Sequence, residues 1–135
     1  CVSPCGSVYQ AGTLAGNPVA MAAGIATLRR LLAHPEYYAQ LEESGRLLAA
    51  GLRAACGCTV NAVGSLCCVF MTHAPVRDLE SALTSDTKKY AVYFRSLLEQ
   101  GISVAPAQFE AMFLSDAHSQ ADIDATLAAA RSFRG

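Results

Sequence analysis

The sequence predicts a mixed chain of the α/β or α+β class, and three observations carry that prediction. Stretches of helical periodicity alternate with short apolar runs bounded by glycine or proline. There are no internal repeats and no low-complexity linkers. At 135 residues the chain is long enough to bury a core of its own.

The elements follow in order. Residues 18–33 read as a helix with Asn17 as N-cap and Pro18 in the first turn, where a missing N–H costs nothing. Met21, Ile25, Leu28 and Leu32 recur at helical spacing, and Arg29 and Arg30 sit near the end that favours cations. His34-Pro35 breaks the pattern, because a residue before proline avoids the α region. Residues 36–56 form a second, amphipathic helix whose inward stripe is Leu41, Gly45, Leu48, Leu52 and Ala55. Gly57 stops it. Two strands follow, at 59–63 and 66–72, the second an almost continuous apolar run.

Residues 78–84 are polar and read as irregular, with room for one helical turn. Ser85 caps a helix running to Gln100, with Tyr90, Phe94, Leu97 and Leu98 inward and Gly101 as its stop. Short strands at 102–105 and 112–115 flank residues 106–111. Ser119 and Asp122 have the spacing of a capping box, opening a last helix that buries Ile123, Leu127 and Ala130.

Composition narrows the function classes. The formal net charge is −1 and the ten basic residues are scattered, so no electrostatic footprint for nucleic acid is present. Charged residues make up 16% of the chain, against about 25% in a typical soluble domain. The deficit lies at the start, where residues 1–28 contain no Asp, Glu, Lys, Arg or His. Such a region is expected to be buried against something outside this chain. It does not read as a membrane span, since its clean apolar part, 19–28, is half the roughly 20 residues required. The start at Cys1 fits a piece of a longer polypeptide. Six cysteines show no CxxC pair, and free cysteine behaves as a small buried hydrophobe, so no metal is expected. A reducing compartment, the cytoplasm or the plastid stroma, follows.

The stretch from Tyr9 to Pro18 is the densest in candidate chemistry. It holds two glycines, a hydroxyl and two side-chain amides, and runs into a helix N-terminus. Gly12, Thr13 and the helix end together suit an anion such as phosphate. The same pattern also describes an ordinary glycine-rich turn before a capped helix. A second candidate is Glu110, the single formal charge between Gly101 and Ser115. It is either paired with a cation in a buried setting or a loop-tip carboxylate in water.

Val8-Tyr9-Gln10-Ala11-Gly12-Thr13-Leu14 followed by Gly16-Asn17-Pro18, with Ala105-Pro106, Gln108-Phe109-Glu110-Ala111 and Ala117-His118 downstream, closely resembles the glutamate-1-semialdehyde 2,1-aminomutases. These are class III aminotransferases of pyridoxal phosphate fold type I. The resemblance covers nearly the whole chain and implies an α/β, C-terminal portion with helices packed on a small, mostly antiparallel sheet. Residues 1–34 would be the tail of the large cofactor domain and its interdomain helix, and 35–135 the small C-terminal domain.

The resemblance further implies pyridoxal 5'-phosphate as cofactor, a homodimer, and conversion of glutamate 1-semialdehyde to 5-aminolevulinate for tetrapyrrole synthesis. Thr13 and the Gly12 backbone would reach the cofactor phosphate across the dimer interface. Glu110 would meet an arginine from the missing N-terminal part, near the substrate carboxylate. The Schiff-base lysine is expected upstream of this chain. Lys88 and Lys89, its two lysines, are neighbours on the outer part of an amphipathic helix and read as solvated charges. Alone, this stretch is expected to be catalytically inactive. His118 reads as a hydrogen-bonded structural residue. Ser7 stands where the family usually has proline, and Met112 where glycine is frequent.

Overall fold

The computed structural model describes residues 1–133 and divides into two compact units, Cys1–Pro35 and a second beginning at Glu36. The first holds one long element, α1 (Pro18–Ala33). Its Asn17 Oδ1 accepts from Val19 N at 3.0 Å and Ala20 N at 3.1 Å, the N-cap that the Asn-Pro pair predicts. Residues 1–8 close a small loop through Ser3 N to Val8 O and Val8 N to Cys1 O. Helix α1 buries none of its residues: Met21, Ile25, Leu28 and Leu32 are 48%, 50%, 61% and 82% exposed. Its apolar stripe therefore exists without a cover. No helix among the described residues is long and apolar enough to cross a membrane.

The second unit is a three-stranded antiparallel sheet backed by helices. Helix α2 (Glu36–Cys56) leads into the hairpin β1 (Thr59–Val63) and β2 (Leu66–Phe70), whose register pairs Val60 with Val69. A four-residue helix, α3 (Leu79–Ala82), precedes α4 (Thr87–Glu99). The short β3 (Met112–Phe113) adds to the free edge of β2, giving the order β1-β2-β3, and α5 (Gln120–Ser132) closes the unit. Helices on a small antiparallel sheet are the architecture expected from the sequence.

Alternation in β2 buries Cys67 and Val69 on the helix side. Against them pack Leu48, Ala49 and Leu52 of α2, Tyr90, Tyr93 and Leu97 of α4, and Ile123 and Leu127 of α5. Gly45 allows α2 to approach the hairpin, since a Cβ there would run into the Gly64 carbonyl oxygen. Arg53 ties α2 to β1 through two bonds to the Val60 carbonyl, at 3.0 and 2.7 Å.

Four expectations need correction. The cap of α4 is Asp86, not Ser85: the Asp86 carboxylate accepts from Lys88 N and Lys89 N at 3.0 and 2.9 Å, a stronger acceptor than a hydroxyl. Residues 102–105 form no strand, because Ile102 N bonds back to Leu97 O and Ala105 O is taken by the Tyr90 hydroxyl. The second strand ends at Phe70 and the last at Phe113, both shorter than the apolar pattern suggests. On α4, Tyr93 is wholly buried while Leu98 is 48% exposed, since Leu98 falls off the arc that joins positions 90, 93 and 97.

Candidate functional site

Two loops hold the candidate residues, one in each unit. In the first unit, residues 9–17 form consecutive turns closed by Ala15 N to Gly12 O at 2.9 Å and Asn17 N to Leu14 O at 3.1 Å. Gly16 supplies the positive φ, +75°, that lets the chain swing into the helix. Gly12 and Thr13 are exposed. Asn17 already saturates the first helical N–H groups and Pro18 has none, so the end of α1 offers less to an anion than the sequence pattern suggests. Among the donors that remain in the loop are the N–H groups of Thr13, Leu14 and Gly16 and the Thr13 hydroxyl. None of these makes a hydrogen bond among the described residues. Backbone N–H groups and a hydroxyl, free of charge and close together, fit the oxygens of a phosphate.

In the second unit, Glu110 rides on residues 106–111, and bonds from β2 and α4 tie that loop down. The Tyr90 hydroxyl donates to Ala105 O at 2.7 Å, just before it. Burial, with smaller contributions from Cys68 and Glu110, pushes the Tyr90 phenol up to about 12, so it stays a donor. Gln108 points into the core and is 4% exposed. Its Oε1 accepts from Met71 N at 3.1 Å and its Nε2 donates to Val69 O at 2.6 Å, so the amide serves as a surrogate strand beyond β2. The Cys68 thiol donates to the carbonyls of Gln108 and Glu110 at 3.6 and 3.4 Å. Downstream, pairing of Cys67 with Met112 closes the loop.

Glu110 is exposed on this fixed platform, on the rim of a hollow shared with Ser103, Met112, Leu114 and His118. Its position agrees with a carboxylate presented outward, not with one buried inside this unit. Met112 pairs with Cys67 of β2, and Glu110 just before it has no positive φ. His118 Nδ1 accepts from Ser115 N at 3.0 Å, which fixes the turn before α5.

Gln108, Tyr90 and Cys68 position Glu110, and pattern alone did not assign them that task. The one available signal was an amide inside the apolar stretch 101–115. Lys88 is exposed and Lys89 half-buried on the first turn of α4, with no isolated, desolvated setting around either.

No protein-family model matches the chain. Among curated proteins it is 55% identical to the glutamate-1-semialdehyde 2,1-aminomutase of Acetivibrio thermocellus, covering 94% of this chain and 30% of that protein. It is 52% identical to the enzyme of the same name from Deinococcus radiodurans, over 99% of this chain and 32% of that one. Among solved structures it superposes on a β-phenylalanine aminotransferase from Variovorax paradoxus with a TM-score of 0.80 at 32% identity, covering 96% of this chain and 31% of that one. A transaminase with PLP bound gives 0.69 at 26% identity, over 92% and 28% of the two chains. The chain thus spans about three-tenths of the length of the curated relatives it matches, and it belongs to the glutamate-1-semialdehyde 2,1-aminomutase family.

Proposed function

We infer that these residues are the C-terminal part of a cytoplasmic or plastid enzyme that isomerises glutamate 1-semialdehyde to 5-aminolevulinate for tetrapyrrole synthesis. The observation that carries this reading is the 55% identity to a relative of that name across nearly all of the chain. Residues 1–34 are then the tail of the large cofactor domain, and 35–135 the small domain. The uncovered apolar stripe of α1 supports the same division, because a longer polypeptide or a second subunit would cover it.

Pyridoxal phosphate, when bound, supplies the electron sink for moving an amino group between neighbouring carbons. This chain's share is to hold and orient. The Thr13 hydroxyl and N–H, with the backbone from Gly12 onward, grip the phosphate and fix the cofactor's end. In a homodimer they do so from one subunit into the other's site. Glu110, held outward by Gln108 and Tyr90, pairs with an arginine from the remainder of the polypeptide near the substrate carboxylate. Neither Lys88 nor Lys89 carries the cofactor.

The test uses the full-length enzyme. Thr13→Val keeps the side chain's shape and removes one hydrogen bond to a charged group, typically 1.5–3 kcal/mol. It should weaken cofactor binding about ten- to a hundredfold. An unchanged cofactor Kd would remove Thr13 from the phosphate site. The reaction itself should yield 5-aminolevulinate without an added amino acceptor. Dependence on an acceptor would instead favour an intermolecular aminotransferase, the activity named for the 32%-identical structural neighbour.

A further inference from the structure

We propose that the turn Cys56-Gly57-Cys58 is a thiol–disulfide exchange site that takes an anionic low-molecular-weight disulfide and then closes into an intramolecular disulfide.

Four observations bring the chemistry together. Both thiols are free, half-buried and pack against the core at the junction of α2 and β1. Gly57 turns the chain with φ +62° and its N–H caps α2 on Arg53 O, so the two cysteines lie one residue apart on a bent backbone. A disulfide needs Cα atoms about 4.4–6.8 Å apart, a span that a bent three-residue turn meets. The two thiols are near enough for Cys58 to favour the thiolate of Cys56. Finally, Tyr93 is wholly buried and its hydroxyl has no hydrogen-bond partner among the described residues. It acts on the ionisation of Cys56, and a Cys56 thiolate would supply the acceptor that this phenol lacks.

The groups facing Cys56 all favour its ionised form. They are the Cys58 thiol, the Tyr93 hydroxyl and the Lys89 ammonium, opposed by burial, and together they lower Cys56 to about 7. Cys58 is pushed upward by its bond to Cys56 and by burial, and it remains the protonated member. Cys58 also opens onto a surface hollow edged by Arg53 and Arg77, cationic side chains that suit the carboxylates of an incoming disulfide.

The exchange balances without a metal or flavin. The Cys56 thiolate attacks one sulfur of the disulfide RSSR, forming a mixed disulfide and expelling RS⁻, which takes a proton from water. Cys58 then loses its proton to solvent and attacks the Cys56 sulfur, expelling the second RS⁻, which is protonated in turn. Two electrons pass from the cysteine pair to RSSR, giving one protein disulfide and two RSH.

Oxidised glutathione is the probe, added to the reduced full-length polypeptide. Quenching by alkylation and peptide mass spectrometry follow. Cys56 and Cys58 should lose their free thiols together, ahead of Cys67 and Cys68, at a rate that rises through pH about 7 and then levels. Cys58→Ser should stop at a glutathione adduct on Cys56. At pH 7, Cys56→Ser should slow the reaction of Cys58 about tenfold or more. Cystamine, a cationic disulfide, should react more slowly than glutathione disulfide.

The proposal is overturned if Cys56 stays reduced while the exposed Cys1 and Cys5 react, or if Cys58→Ser carries no adduct on Cys56. A wild-type rate that climbs only toward pH 8.5–9, as for an ordinary thiol, overturns it without relying on any variant. Equal rates with cystamine overturn the assignment of an anionic partner.

Discussion

Replacing Gln108 by alanine tests whether the Glu110 loop is held by one buried amide. The substitution strands two backbone groups, Met71 N–H and Val69 C=O, at residues 6% and 2% exposed. Each unsatisfied buried group costs about 1–3 kcal/mol, and water entering the space left by the side chain offsets part of it. The expected loss is about 2–5 kcal/mol. The direct assay is hydrogen exchange of the Met71 amide in the full-length protein, whose protection should fall about thirtyfold or more. Gln108→Glu sharpens the test. Its carboxylate still accepts from Met71 N but sets a second oxygen against Val69 O, so burial and that contact raise its pKa above the ordinary value near 4.3. The protonated form regains a donor. The deficit of Gln108→Glu should therefore be smallest below pH about 4 and grow as pH rises through the folded-state pKa. Unchanged protection at Met71 in Gln108→Ala would refute the reasoning.

Other predictions concern the frame around the sites. Gly45→Ala should destabilise the second unit by about 1–3 kcal/mol, because its Cβ meets the Gly64 carbonyl and the Ser65 backbone, neither a flexible chain end; denaturant unfolding measures it. Ser119→Ala removes the N-cap of α5 and should cost about 1 kcal/mol by the same measurement. The Asp122 carboxyl is held below the usual carboxylate range by its bonds to the Ser119 hydroxyl and N–H. This contribution is present above the unfolded pKa near 3.9 and is lost as pH falls through the lower folded value. Acid titration of α5 exchange should show that loss, and Asp122→Asn should abolish its pH dependence.

Local signals were readable in the chain wherever the interaction that decides them is local. The Asn17 cap and the Ser119–Asp122 box complete their bonds within a few residues, and the stripe of α2 shows in helical spacing alone. Ser85 and Asp86 are adjacent cap candidates, and only the strength of a carboxylate acceptor separates them. Ile102 and Val104 alternate as a strand would. Ile102 N–H nevertheless bonds back to Leu97, and Ala105 C=O accepts from Tyr90, 15 residues away, so propensity lost to tertiary contact. Gln108 reaches partners 37 and 39 residues away, a bond no periodicity announces. At the first loop, Gly12 and Thr13 lie exposed in consecutive turns. How far Asn17 saturates the helix end follows only from its two distances.

The proposed role of this chain is to contribute phosphate and substrate contacts to a pyridoxal phosphate enzyme whose cofactor lysine lies elsewhere in the polypeptide. Borohydride reduction of the full-length holoenzyme, followed by peptide mass spectrometry, tests it most directly. The expected product carries a pyridoxyl group on a lysine outside these 135 residues, with Lys88 and Lys89 unmodified. A pyridoxyl group on either of those two, or none on any lysine of an active enzyme, would contradict it.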